Sequence, residues 1–209
     1  MFADRTEAGE RLADELERQG VEADVVLGIP RGALPVARPV ADALDATLDV
    51  VVARKLGAPM NPELALGAVG SDGTVWLNDR LVSQLNVSEE YLEDVRQEEA
   101  ENAAKKADRY RDGDAVSLED ARVVVVDDGV ATGATATACL RQVREAGASM
   151  VILAVPVSSP DSFDKLEGEA DEVIALETPP DFRAVGQYYR NFGQVSDEEA
   201  MAYLDQSSS

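Results

Sequence analysis

Short runs of valine, isoleucine and leucine alternate along the chain with stretches whose apolar residues recur at helical spacing, and each change of period predicts a change of element. Residues 5–19 place Leu12 and Leu16 four apart among charged neighbours, which predicts an amphipathic helix that Gly20 stops. The run DVVLGI at 24–29 predicts a strand. Pro30 lies near the start of a helix running to about Leu44, and TLDVVVA at 47–53 predicts a second strand. Periodicity then lapses: residues 54–73 hold four glycines and two prolines, so a long, mobile loop is expected. TVWL at 74–77 reads as a short strand. Residues 88–111 read as a long charged helix with Ser88 as N-cap, and Tyr91 stands where a capping box would need Glu or Gln. The many acids of that helix read as a solvated face.

The second half repeats the alternation. It predicts a strand at 122–127, a helix at 132–146 ended by Gly147, strand MVILAVPV at 150–157, a short helix near 160–167, strand EVIAL at 172–176 and a frayed DQSSS end. Strands apolar on both faces that alternate with helices imply an α/β fold with a central, mostly parallel sheet flanked by helices. A length of 209 residues suits one domain. In such sheets the ligand crevice lies beyond the carboxyl ends of the strands, so the loops after Ile29, Ala53, Asp127 and Val157 are the ones to inspect.

Composition narrows the chemistry. The chain has 41 acidic and 19 basic residues, a formal charge of −22, and its only lysines are Lys55, Lys105, Lys106 and Lys165. So acidic a surface argues against nucleic acid or an anionic membrane as partner, and fits a halophilic protein solvated in high salt. There is no histidine, which removes Ser-His-Asp and Cys-His nucleophilic systems, histidine-ligated zinc and imidazole acid-base catalysis. Cys139 is the single cysteine, so an intramolecular disulfide is excluded and a buried structural thiol is expected. The first residues show neither a signal-peptide apolar region nor a membrane-spanning run, so a cytoplasmic protein is expected.

The densest candidate chemistry is VVVVDDGVATGAT, residues 123–135. Asp127 and Asp128 would leave the buried strand at the crevice, and Gly129 to Gly133 would lead into a helix start, where backbone amides attract phosphate. Thr132 and Thr135 add hydroxyls, and the acid pair suits vicinal hydroxyls or Mg²⁺. The two features together fit a sugar carrying a phosphate. The absence of Gly-Lys-Ser/Thr after the turn excludes a P-loop.

This stretch resembles the phosphoribosyl pyrophosphate motif of type I phosphoribosyltransferases. The resemblance implies that Asp127 and Asp128 hold the ribose hydroxyls and that Ala131, Thr132, Gly133, Ala134 and Thr135 bind the 5′-phosphate. VVLGIPRGALPVA resembles the family's pyrophosphate loop, assigning Arg31 and Gly32 to pyrophosphate oxygens. VVARKLGAP resembles the Arg-Lys pair before its catalytic loop, which places Arg54 and Lys55 at the leaving group. With PPDFRAVGQYY, these stretches look like a little-characterised subgroup of predicted members. Gly129 departs from the family's usual aliphatic residue, which implies a looser first turn. Ala131 replaces an aspartate of many oxopurine enzymes, VPVSS lacks their base-reading lysine, and Arg190 stands near the place of a metal-binding acid, so base specificity stays open.

The implied architecture is a core over about 20–177 with a hood from about 178–209 plus the N-terminal helix. Phe182, Tyr188 and Tyr189 are the candidate base-stacking rings, with packing against the sheet as the equal alternative. The implied reaction uses 5-phosphoribosyl 1-pyrophosphate, a nucleobase-like acceptor and Mg²⁺ held mainly through the donor, in a homodimer; Arg54, Lys55, Asp127 and Asp128 are the catalytic candidates. Two other readings remain open: a non-catalytic sensor of the same ligand, and a receiver-like or aspartate phosphotransferase domain.

Overall fold

The computed structural model describes residues 1–110 and 115–205, without the side chain of Glu63. Strands β1 (Val25–Gly28), β2 (Thr47–Val50), β6 (Arg122–Val126), β7 (Met150–Val157) and β8 (Glu172–Glu177) form a parallel sheet in the order β2-β1-β6-β7-β8. The predicted α/β fold with a parallel sheet is thus observed. Alternation along the strands divides the core. Val25, Leu27, Val123, Val125, Leu153 and Val155 face α5 (Ala134–Glu145) through Ala136, Leu140 and Val143. Val26, Val124, Val126, Ile152 and Ala154 face α1 (Arg5–Gln19) and α2 (Leu34–Ala43) through Leu12, Leu16, Val36 and Val40. The central strands β1, β6 and β7 bury both faces, which is why their sequences are rich in valine, whereas the edge strands β2 and β8 are only partly buried.

The chain leaves β1 towards β2 on one side and resumes at β6 on the other. The order therefore reverses between β1 and β6, and their ends lie level, with Gly28 opposite Val126. A crevice opens where connections depart to opposite sides of a sheet, so the loops after Gly28 and Val126 flank it.

Three sequence expectations need correction. Residues 54–73 are not a loop: β3 (Ala53–Ala58) and β4 (Asn61–Gly70) form an antiparallel hairpin joined by β5 (Val75–Leu77) into a second sheet of order β3-β4-β5. Of the four glycines that suggested a loop, Gly57, Gly67 and Gly70 are close-approach positions within strands, and Gly73, with φ 89°, turns the chain after β4. A Cβ on Gly57 would lie 2.7 Å from the Pro62 carbonyl oxygen, and one on Gly67 would collide with the Trp76 carbonyl oxygen. TLDVVVA is divided, since β2 ends at Val50 and Ala53 already belongs to the second sheet. The helix foreseen near Pro30 starts at Leu34, because residues 30–33 form a turn at the crevice.

Three helices complete the main elements before the C-terminus: α3 (Asp79–Gln84), α4 (Glu89–Tyr110) and α6 (Pro160–Leu166). The sequence reading had no α3, which Asn78 caps through a 3.1 Å bond from the Leu81 amide. It also had no α7 (Asp197–Leu204), although the capping box of Ser196 and Glu199 was legible. Ser88 accepts from the Tyr91 amide at 3.2 Å, as the N-cap expectation required. Residue 111 of the predicted long helix, and 206–209 of the expected frayed end, lie outside the described residues. Among the described residues no helix is long and apolar enough to cross a membrane.

Helix α1 lies directly on α2 at Gly9, where an added Cβ would sit 2.6 Å from the Val36 carbonyl oxygen and 2.9 Å from its Cα. Gly9→Ala should gain about 1 kcal/mol of helix propensity but lose about 1 to 3 kcal/mol to overpacking against backbone that cannot yield. The expected result is a lower urea midpoint with an unchanged slope; a raised midpoint would show that α1 does not depend on this approach.

Candidate functional site

Residues 127–133 connect the end of β6 to α5, and Ala131 to Thr135 span the last part of that loop and the first residues of the helix. Gly133, with φ 77°, turns the chain into the helix, a conformation that costs glycine little. No described carbonyl or side chain accepts from the amides of residues 131–135. The Ala131 carbonyl is turned away, accepting from the hydroxyls of Ser159 and Ser162 at 2.8 Å each. Five successive N–H groups at a helix start, with their intervening carbonyl drawn aside, make an anion cradle. The serines of VPVSS, read in the sequence only for a missing lysine, help to shape it.

Asp127 and Asp128 follow β6 without leaving its packing. The Asp127 carboxylate accepts from the Asp128 amide at 2.8 Å. Burial, then the neighbouring Asp128 charge, pushes its pKa well above the ordinary carboxylate range. Burial also raises Asp128, opposed by the Arg5 guanidinium, whose Nε donates to Asp128 Oδ2 at 2.7 Å. Those two side chains are 11% and 16% exposed. Arg5 also donates to the Gly193 carbonyl at 2.8 Å and lies 3.9 Å from the Phe192 ring centroid. The sequence reading did not single out Arg5, because its partner is 123 residues away.

Gly32 of the turn after β1 meets this pair: a Cβ there would collide with Asp128 Oδ2. The pyrophosphate-loop candidate and the acid pair are therefore in contact. Arg31 points towards α7, 3.8 Å from Asp197. Gly129, whose departure from the family pattern implied a looser first turn, lies against packed side chains. A Cβ at Gly129 would lie 2.6 Å from Val185 Cγ1 and 2.9 Å from Val157 Cγ1, so Val185 of the C-terminal segment fills the space.

Two cavities flank the cradle. One, of about 660 Å³, is bounded by Pro30, Arg54, Lys55, Lys106 and Thr135, with Tyr91 and Glu99 on its far side. Arg54 Nε donates to Glu99 at 2.7 Å, so α4 brings acids and a cation into the site and is more than a solvated face. The second, of about 1030 Å³, is bounded by residues 131–135, Trp76, Phe182, Arg183 and Lys165. Lys55 and Thr135 line both.

Of the candidate base-stacking rings, Phe182 borders the second of these two cavities and Tyr188 and Tyr189 border neither; Phe182 stacks on Tyr188 with centroids 5.6 Å apart. Tyr188 and Tyr189 are buried beside Phe2 and Val157, and the Tyr189 hydroxyl donates to the Asp128 carbonyl at 2.6 Å. For these two the packing alternative describes what the structure shows. Cys139 is buried, and burial pushes its thiol pKa up, in keeping with an inert structural residue.

Residues 4–192 match the phosphoribosyl transferase domain. The chain belongs to the phosphoribosyltransferase family. It is 47% identical over 208 residues to a Mycobacterium tuberculosis protein named "Putative phosphoribosyl transferase", covering 99% of this chain and 47% of that one. The chain thus spans about half the length of the curated relatives it matches. The crystal structure of a Thermus thermophilus protein shares 46% identity and a TM-score of 0.84, covering 98% of this chain and 97% of that one. A Neisseria gonorrhoeae protein with bound ppGpp shares 15% identity and a TM-score of 0.51, over 96% of this chain and 91% of that one, which is a likeness of fold alone.

Among the described residues no group of three or more His, Cys, Asp or Glu could enclose a metal ion. Asp127 and Asp128 are hard oxygen donors that suit Mg²⁺, with Asp128 Oδ2 already held by Arg5.

Two measurements probe the acid pair. Arg5→Ala would leave the buried Asp128 carboxylate unpaired, at a cost of about 3 kcal/mol, so the denaturant midpoint should fall clearly; an unchanged midpoint would refute the pairing. Asp127 holds its proton more tightly folded than unfolded, so its contribution to stability is greatest below the ordinary pKa of about 4 and declines as pH rises towards the folded value. Asp127→Asn keeps an acceptor for the Asp128 amide and removes that decline. Ligand-free Asp127→Asn should melt higher than wild type, with a gap that widens from about pH 5 to 8; a lower melting temperature throughout would contradict the assignment.

Proposed function

We propose that the protein is a phosphoribosyltransferase that binds 5-phosphoribosyl 1-pyrophosphate with Mg²⁺ and transfers phosphoribose to a nucleobase-like acceptor, releasing pyrophosphate. The observation that carries this reading is the row of five unpaired amides at residues 131–135, set directly after the acid pair at the point where the sheet order reverses. Family membership supports transferase chemistry over an aspartyl phosphate.

In this reading the 131–135 amides hold the 5′-phosphate while Asp127 and Asp128 accept from the ribose hydroxyls. Arg31, Gly32, Arg54 and Lys55 surround the pyrophosphate. The bond from the anomeric carbon to pyrophosphate breaks with its electron pair leaving on oxygen. A ring nitrogen of the acceptor bonds to the same carbon, and its proton passes to the departing pyrophosphate or to solvent water. Bound Mg²⁺ would neutralise charge on the departing pyrophosphate. Phe182, backed by Tyr188, offers a flat face to the acceptor, with Tyr189 steadying the acid pair from behind. The unit is one domain over 1–209, its C-terminal segment from about 178 forming the hood, and the α1 start closes the acid pair through Arg5.

A second reading follows from the pairing of Arg54 with Glu99 and Asp128 with Arg5, since protein partners already occupy two groups assigned to the donor. A sensor of phosphoribosyl pyrophosphate would bind without turnover. Pyrophosphate release from the donor, Mg²⁺ and a panel of nucleobases, assayed in molar salt because of the acidic surface, separates the two. Release with at least one base establishes transfer, whereas tight binding with no release from any base establishes the sensor. The double variant Asp127→Asn with Asp128→Asn should lose donor binding while keeping its fold; unchanged calorimetric affinity would sink the ribose assignment.

A further inference from the structure

A half-buried ammonium without an acid beside it is costly, and it is an unusual thing to find in a chain with 41 acids and 19 cations. Lys106, on α4, is such a group. Its Nζ donates to the Pro30 carbonyl at 2.7 Å, which uses one of its three N–H bonds. Among the described residues no carboxylate lies within ion-pair distance of it. Its sequence neighbour Lys105 shows the ordinary alternative, exposed and paired with Glu101 at 3.6 Å.

The surroundings of Lys106 are built from every side of the first cavity. Arg54 and Lys55 come from β3, Thr135 from α5, and Glu98 and Glu99 from α4 itself, with Glu99 committed to Arg54. Burial lowers the ammonium's pKa most, followed by the positive charges of Arg54 and Arg31. Asp197 of α7 and Cys139 of α5 act more weakly in the opposite sense. Tyr110, one turn along α4, spends its hydroxyl on Asp197 at 2.6 Å, so that acid is already engaged on the α7 side. What Lys106 lacks is a carboxylate within ion-pair distance, and the Pro30 carbonyl holds it on the same turn that carries Arg31 and Gly32.

We propose that Lys106 is a direct ligand of the donor's pyrophosphate group, supplied by α4 in addition to the three loops. The proposal rests on the phosphoribosyltransferase reading and adds to it a residue outside the motif loops. Its two remaining N–H bonds are available for charge-assisted bonds to phosphate oxygens. An arriving anion would also favour the charged ammonium, so ligand binding at alkaline pH should be accompanied by proton uptake at this residue.

The test is calorimetric titration of the full chain with magnesium pyrophosphate, in buffers of different ionisation enthalpy, over a pH range from neutral to alkaline. Lys106→Gln should bind about 10- to 100-fold more weakly than wild type, and its proton uptake should fall below the wild-type value. Lys106→Arg should keep most of the affinity yet also lose that uptake, because guanidinium does not deprotonate in this range. Lys105→Gln should match wild type in both. Wild-type affinity and wild-type uptake in natively folded Lys106→Gln would overturn the proposal. Should Lys106→Gln fail to fold, Lys106→Arg decides: uptake equal to wild type overturns it, and uptake lost with affinity kept supports it. Failure of wild type to bind either magnesium pyrophosphate or phosphoribosyl pyrophosphate would instead overturn the transferase reading on which the proposal stands.

Discussion

Two adjacent carboxylates at the end of a buried strand must be compensated, and much of the molecule is arranged around that requirement. One charge is met by Arg5, which comes from the start of α1 and is itself fixed by Phe192 and Gly193. The Phe2 amide donates to Tyr188 at 2.7 Å, and the Arg190 amide returns to Phe2 at 2.9 Å, so the first and last segments clasp behind the acids. Burial, and then the adjacent Asp128 charge, makes the Asp127 carboxyl hold its proton more tightly. Site chemistry and structural strain share the same two residues, a common condition of sites organised for a ligand that brings its own polar groups.

The field of the protein adds a second constraint. A net charge of −22 repels anions at long range, yet the crevice gathers Arg31, Arg54, Lys55 and Lys106 in one place, with the amides of 131–135 beside them. Local cations and oriented dipoles prevail at a few ångströms, whereas the surface charge is screened within about 10 Å at ordinary ionic strength. Salt therefore weakens the unfavourable approach more than it weakens contacts inside a partly enclosed cavity.

Much of the fold was legible because the parallel sheet writes itself in valine: β1, β6 and β7 fell where apolar runs predicted, and Gly20 and Gly147 ended their helices. The hairpin of β3 and β4 was illegible because its glycines serve close strand approach, and glycine signals that need and a loop alike. At the site, the row of free amides at 131–135 could be read from local order, since a glycine turn and a helix start make it. Arg5 and the serines at 159 and 162 could not, because each acts across the fold. Lys106 carried a faint signal as one of only four lysines, outweighed by the acids around it on α4.

Gly129 shows how such a site can change over time. The wall beside the acid pair is supplied by Val185, a residue 56 positions further along the chain, and not by a side chain on the loop. The loop that carries the free amides and the surface that borders it are thereby encoded in separate stretches of sequence. Substitution at position 185 can therefore reshape the border while the row of amides at 131–135 keeps its own geometry, so the two can vary independently.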